Sequence, residues 1–292
     1  MFKSASFPLT LASVLLLAAC SQANNTEQKP ASSPANHTAA SAPANHNNLD
    51  TNRSYIVATD ASYAPMEYME NNQVVGFSHD ILDAAAKTQN IKLEFVNTPF
   101  EGLFANVDKG DSDIGLASIT INEDRLKQLD FSEPYFHATQ MIVTTENNSG
   151  SIKSFTDMKE RTASVQAATS GDLILQDLQG KDSPKIKRFE TMPLAFKELE
   201  SGGVDAVVGD SSVVSYYVKQ HPETKLNTIV DPSFVKENYG FAFKKGRNDG
   251  LREAINKGLA QIQSDGTYEK IYTQWFGAPS QTNTSNPTSA AQ

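Results

Sequence analysis

Residues 55–276 keep switching between strand-like and helix-like hydrophobic periods, and this alternation limits the folds open to the chain more than any other feature. The first series runs as strand 55–59, helix 76–88, strand 91–96, helix 100–107 and strand 114–117. In its first helix Phe77, Ile81, Leu82 and Ala85 fall on one face, the spacing of a helix that covers a core on one side. A β-rich run at 136–145 and a polar, glycine-containing patch at 146–151 follow, and the pattern then restarts. The second series is strand 161–166, helix 170–178, strand 185–189, helix 194–199, strand 204–208 and helix 212–219. Strands at 226–230 and 239–243 and helices at 251–262 and 268–276 close the chain. Strands that alternate with helices in this way predict an α/β protein with mostly parallel sheets. Two series within 292 residues suit two lobes.

In open parallel sheets ligands bind beyond the carboxyl ends of the strands. Asp60, Phe100 and Ser118 of the first series and Thr169 and Asp210 of the second lie at or just past predicted strand ends. A cleft between two lobes would bring them together. Within 113–135 a short apolar strand leads to two hydroxyls, Ser118 and Thr120, and to a lone arginine, Arg125. A guanidinium presents a planar fork that matches a carboxylate, and hydroxyls fill the remaining lone pairs. Two other readings stay open at this level. Arg125 can pair with Glu123 or Asp124 on a helix surface, and T-I-N-E at 120–123 is a capping-box pattern with Thr120 as the cap. Thr169 and Ser170 can likewise cap the helix that follows them.

Charge and cysteine usage narrow the function. The formal net charge is −9; the first nineteen residues hold Lys3 and no acid, so the remainder stands at −10. That balance argues against nucleic-acid binding, which needs a basic face. The one cysteine, Cys20, excludes an intrachain disulfide and a cysteine metal cluster. His79, His137 and His221 show no metal spacing, and neither a metal nor a cofactor is expected. Residues 1–19 read as an export signal, with Lys3 ahead of an apolar run at 9–17 that is too short to span a bilayer. L-A-A-C at 17–20 resembles the bacterial lipobox, which implies acyl chains such as palmitate on Cys20 and a membrane anchor. Residues 21–53 contain no aromatic and one large aliphatic, Leu49, and read as a disordered tether; residues 278–292 read as a disordered tail.

The motifs of the folded part resemble those of the bacterial extracellular solute-binding proteins of family 3, the polar amino-acid receptors of ABC importers. The residues that carry the resemblance are A-T-D-A-S-Y-A-P-M-E-Y at 58–68, G-F-S-H-D-I-L at 76–82, D-S-D-I-G-L-A-S-I-T-I-N-E-D-R at 111–125 and L-D-F-S-E-P-Y at 129–135. In the second half they are V-Q-A-A-T-S-G-D at 165–172, G-G-V-D-A-V-V-G-D at 202–210 and Y-G-F-A-F-K-K-G at 239–246. The resemblance implies the two-lobe periplasmic-binding-protein fold, with two hinge strands and a ligand in the inter-lobe cleft. It assigns 54–142 plus 236–277 to a discontinuous first lobe and 146–230 to the second.

It also implies roles. Arg125 holds the ligand carboxylate with help from Ser118, Thr120 and the Ala117 backbone. Thr169 and Ser170 add hydroxyl or N–H groups from the opposite lobe, and Asp210 binds the ligand ammonium. Tyr63 and Phe100 form aromatic walls, and Asp60 lies near the distal end of the ligand side chain. The chain departs from the family pattern at Ala168, where relatives usually have glycine. The function implied is a monomeric lipoprotein in the periplasm or at the cell surface, delivering a polar or cationic L-amino acid to an ABC permease. Arginine ranks first, because Asp60 and Glu67 place negative charge toward the distal end, and glutamine second. The rivals are an enzyme of the same fold, such as a cyclohexadienyl dehydratase, and a sensory or adhesive lipoprotein.

Overall fold

The computed structural model describes residues 49–278; the export signal, Cys20, the tether up to residue 48 and the tail from residue 279 lie outside the described residues. The chain opens with β1 (Ser54–Thr59), β2 (Ser62–Tyr63), β3 (Glu67–Glu70) and β4 (Gln73–Val75), then α1 (Phe77–Thr88), β5 (Lys92–Asn97), α2 (Phe100–Lys109) and β6 (Ile114–Leu116). It continues through α3 (Glu123–Gln128), β7 (Leu129–Phe131), β8 (Phe136–Ala138) and β9 (Gln140–Thr145). The second series is β10 (Ala163–Gln166), α4 (Ser170–Gln179), β11 (Ile186–Phe189), α5 (Met192–Glu200), β12 (Ala206–Asp210), α6 (Ser211–Gln220) and β13 (Leu226–Ile229). Last come β14 (Glu237–Tyr239), β15 (Ala242–Lys244), α7 (Leu251–Ser264) and α8 (Thr267–Phe276).

Each lobe is built on one five-stranded sheet. The first has the order β5-β1-β6-β15-β7, the second β11-β10-β12-β9-β13. The two share a plan in which three strands pair in parallel and two more are added through antiparallel pairings, so that only β15 in the first sheet and β9 in the second run against the other four. Four of the five strands in each sheet thus run the same way, as expected, although half of the pairings are antiparallel. The added strands come from parts of the chain that return from elsewhere, so they can pair in either sense.

The predicted strands at 136–145 and 239–243 are each two strands. β8 and β14 pair with each other in a separate antiparallel ribbon, Glu237 opposite Ala138 and Tyr239 opposite Phe136. One break falls at Thr139, after which β9 enters the second sheet; the other falls at Gly240 and Phe241, after which β15 enters the first. β8 and β14 are thus the two hinge strands. Gly240 fits its bend because a Cβ there would stand 2.8 Å from Ile121 Cδ1.

The antiparallel sheet β2-β3-β4 was not predicted. Its turn is Asn71-Asn72, with φ values of 47° and 62°, the two left-handed residues of a type I′ hairpin. Asn-Asn between short β-rich runs is the signal that would have found it. Residues 49–53, read as the end of the tether, are ordered against the first lobe. Asp50 N–H donates to Tyr55 Oη, and Arg53 pairs with Asp113 at 2.8 Å.

α1 buries the face on which Phe77, Ile81, Leu82 and Ala85 lie. Phe77 meets the rings of Phe136, Tyr268, Tyr272 and Phe276, so truncating it to alanine should cost about 3–5 kcal/mol. Gly258 of α7 packs against α1 so closely that a Cβ would stand 2.2 Å from the Ala85 carbonyl oxygen. Among the described residues no helix is long and apolar enough to cross a membrane.

Candidate functional site

Twelve residues line a narrow cavity between the lobes. All ten predicted site residues are among them: Asp60, Tyr63, Phe100, Ala117, Ser118, Thr120 and Arg125 on one side, Thr169, Ser170 and Asp210 on the other. Glu67 and Gln166 complete the lining. Asp60 follows β1, Ala117 and Ser118 follow β6, Phe100 opens α2, and Thr169 and Asp210 stand at the starts of α4 and α6. The site therefore sits where open parallel sheets bind ligands, past the carboxyl ends of the strands.

Arg125 points into this cavity from α3. The helix is capped by Asn122, whose side chain accepts from Arg125 N–H at 2.9 Å. The capping-box reading with Thr120 as cap is thereby corrected: the helix starts two residues later than that pattern required. The Arg125 guanidinium donates to the Thr120 carbonyl at 2.8 Å and, across the cleft, to the Ala168 carbonyl at 3.1 Å. Its Cζ lies 5.6 Å from the Phe100 ring centre and 5.3 Å from that of Phe104. No carboxylate among the described residues forms a salt bridge with it, so the surface pairing with Glu123 or Asp124 is also excluded in this structure. Burial lowers the Arg125 pKa, and Asp210 and Glu237 oppose that shift.

Asp210 is held by three donors. Gln140 Nε2 donates to Oδ1, and the hydroxyls of Tyr63 and Tyr239 donate to Oδ2. Burial raises its pKa, while these donors and Arg125 pull it back. Asp60 has a donor on each oxygen: Ser62 Oγ on Oδ1 at 2.7 Å and Gln166 Nε2 on Oδ2 at 2.5 Å, the latter from the opposite lobe. Burial again raises its pKa first, and the two donors oppose. Glu237, on hinge strand β14, accepts from Thr120 Oγ1 at 2.7 Å and from Gln140 Nε2 at 3.3 Å. Glu67 is fully buried and receives one bond, from Ser118 Oγ to Oε2 at 3.1 Å.

Several hydroxyls have other partners than those implied by the resemblance. Ser118 donates to Glu67, so its single proton is already committed; Thr169 Oγ1 donates to the Gln166 carbonyl at 2.8 Å; Ser170 Oγ donates to Thr120 Oγ1 at 3.0 Å across the cleft. Tyr63 is more than an aromatic wall, since its hydroxyl reaches Asp210 from the other lobe at 2.8 Å. Ala168 has φ of +62°, the left-handed region. The usual glycine thus answers a backbone demand, and the methyl's effect on pocket width is secondary. Gln166, Gln140, Tyr239 and Glu237 were not predicted. Gln166 ends β10 and could have been found by its strand-end position, whereas the other three become neighbours of the site only through the hinge.

Comparison with known proteins identifies the family and the fold. The profile of the bacterial extracellular solute-binding proteins, family 3, matches residues 55–278. A probable histidine-binding protein of Neisseria gonorrhoeae is 35% identical over 266 residues, 90% of this chain and 92% of that protein. ABC transporter arginine-binding protein 1 of Escherichia coli (strain K12) is 30% identical, over 74% of this chain and 88% of its own length. The crystal structure of the arginine-, lysine-, histidine-binding protein ArtJ from Geobacillus stearothermophilus superposes with a TM-score of 0.74 and 40% identity, covering 78% of this chain and 97% of that one. The matched span takes in both sheets, the hinge strands and every residue of the cavity, and the chain belongs to the bacterial extracellular solute-binding proteins, family 3.

Proposed function

We propose that this protein is a receptor that captures a cationic L-amino acid between its lobes and hands it to an ABC permease. The observation that carries this reading is the charge inventory of the cleft. One guanidinium, Arg125, stands without a carboxylate partner, and four carboxylates, Asp60, Glu67, Asp210 and Glu237, surround the cavity or back it. An α-amino acid brings one carboxylate and one ammonium, which match Arg125 and Asp210. The surplus carboxylates favour a further positive charge on the side chain, because a buried charge needs a partner. Arginine ranks first, and the names of the relatives add histidine and lysine to the same class. Glutamine ranks second, since its carboxamide offers N–H donors without charge.

Ligand entry would replace the carbonyl partners of Arg125 with a carboxylate and would join the two walls of the cleft, favouring closure. The discontinuous first lobe, 54–142 with 236–277, and the second lobe, 146–230, are part of this proposal, supported by the pairing of β15 with β6 and β7. Lipidation at Cys20, export directed by residues 1–19 and a monomeric, non-catalytic protein complete it. The test is isothermal titration of protein refolded to remove carried-over ligand, with arginine, lysine, histidine and glutamine as titrants. Micromolar binding, about −8 kcal/mol, is expected for at least one of the three cationic amino acids. Failure of all three, with glutamine bound, would move the assignment to neutral polar ligands.

A further inference from the structure

Glu67 is the one pocket carboxylate with an oxygen left over. Its side chain is at 0% exposure, and Oε1 has no hydrogen-bond partner among the described residues. Oε2 accepts from Ser118 Oγ at 3.1 Å. Behind Ser118 stands a line of hydroxyls: Ser78 Oγ is 3.5 Å from Ser118 Oγ, and Tyr135 Oη donates to Ser78 Oγ at 3.0 Å. This line fixes one oxygen of Glu67, a residue of the cavity lining, and leaves the other without a partner. Asp60, by contrast, has both oxygens taken by Ser62 and Gln166.

The groups facing Glu67 offer it no positive charge. Hydroxyls face it from Ser78 on α1, Ser118 after β6 and Tyr135 ahead of β8, and Tyr63 lies close on β2; the nearest charges, Asp60 and Asp210, are negative. A carboxylate buried under these conditions is untenable as an anion, because neither a cation nor a full set of donors offsets its lost hydration. Burial pushes the Glu67 carboxyl well above the usual carboxylate range, in keeping with this geometry.

We propose that Glu67 holds a proton until a ligand enters, and releases it to solvent when the cationic end of a ligand side chain comes to Oε1. The step balances: one positive charge enters the pocket and one proton leaves, so the buried net charge there is unchanged. The inference rests on the receptor reading above and sharpens it by naming Glu67, in place of Asp60, as the residue that distinguishes a charged side chain from a neutral one of the same shape. It also makes affinity for a cationic ligand rise with pH while affinity for a neutral analogue stays flat.

The experiment is isothermal titration with L-arginine and with its neutral near-isostere L-citrulline, each in two buffers of different ionisation enthalpy. Arginine should release about one proton per ligand and citrulline none. Glu67→Gln should abolish the release, weaken arginine about tenfold or more, and leave citrulline within about threefold. Binding of arginine without proton release would overturn this inference while leaving the receptor reading intact, and so would a release retained in Glu67→Gln. Failure of arginine to bind at all would overturn both. Should Glu67→Gln not fold, Ser118→Ala serves instead. It removes the donor to Oε2, so the rise in arginine affinity should shift to higher pH, and an unmoved profile would overturn the proposal.

Discussion

Each end of strand β6 lies by a carboxylate, Asp113 in the chain ahead of it and Glu67 reached through Ser118 beyond it, and the two differ in how their charge is satisfied. Ahead of the strand, Asp113 accepts both Nη groups of Arg53, Nη2 of Arg247 and the Ile56 N–H, all at 2.8–2.9 Å. Burial opposes its ionisation, but these donors hold its carboxyl below the usual range. Past the strand, Ser118 leads to Glu67, a carboxylate with no cation, pushed upward by burial. Nearby Arg125 has only carbonyls and rings for company. The first end is complete and ties residues 53, 113, 247 and 249 together. The second end is left incomplete in a way that an amino acid can fill. A difference in partners, in place of a difference in residue types, thus separates a structural cluster from a binding one.

The sharpest way to break this comparison is Arg125→Ala. It should cost about 2–5 kcal/mol of ligand affinity, as for a truncated partner of a buried charge pair, while the ligand-free melting temperature falls little. Titration and thermal melting read both, and wild-type affinity would sink the mechanism. Asp113→Ala should do the reverse. Leaving Arg53 without its ion pair and Arg247 with one of its two should cost about 3 kcal/mol of stability, roughly 6–12 °C in a chain of this size. Ligand affinity should stay within about threefold; a large loss of affinity with an unchanged melting temperature would erase the distinction between the two ends.

The pH response should separate the same two regions by sign. Asp113 has a folded pKa below its unfolded one, so its contribution is present above the unfolded value, near pH 4, and is lost as pH falls through the lowered one. Glu67 has a raised value, so the unliganded fold binds a proton that the unfolded chain does not, and stability falls as pH rises through its folded pKa. Melting temperatures of ligand-free protein should therefore decline as pH rises above the ordinary carboxylate range, and the stabilisation given by arginine should grow over the same range. A flat difference between free and arginine-loaded melts would contradict this. The smallest effect belongs to Ala168→Gly. Relief of a left-handed alanine is worth about 1 kcal/mol, partly offset by glycine's extra chain entropy. Stability should thus rise by less than about 1 kcal/mol, with affinity unchanged.

Much of the architecture is legible in the sequence. The strand and helix runs of both series were readable because their period is local, and Phe77, Ile81, Leu82 and Ala85 needed no distant partner to declare a buried face. The strand breaks at Thr139 and Gly240 were not readable. Each run stays β-rich across the point where it leaves one sheet for another, and local propensity does not register a change of partner. The hairpin β2-β3-β4 went unread although its Asn71-Asn72 turn was in plain view, because its strands are only two to four residues long.

At the site, residue types and strand-end positions point to Asp60, Phe100, Ser118, Thr120, Arg125, Thr169 and Asp210, and the family resemblance adds Tyr63, Ala117 and Ser170; all ten line the cavity. Periodicity, composition and the lone Arg125 thus specify an α/β chain with an anion grip. They do not specify which carboxylate is left without a partner. Asp60 was the natural choice for the charge awaiting a ligand, yet Gln166, 106 residues away, takes its second oxygen from across the cleft. Glu67, named with Asp60 as distal negative charge, opens β3, and only the fold shows that it is completely buried with one oxygen unpartnered. Hydrogen-bond satisfaction belongs to pairs of groups brought together by folding, so no single stretch of sequence contains it.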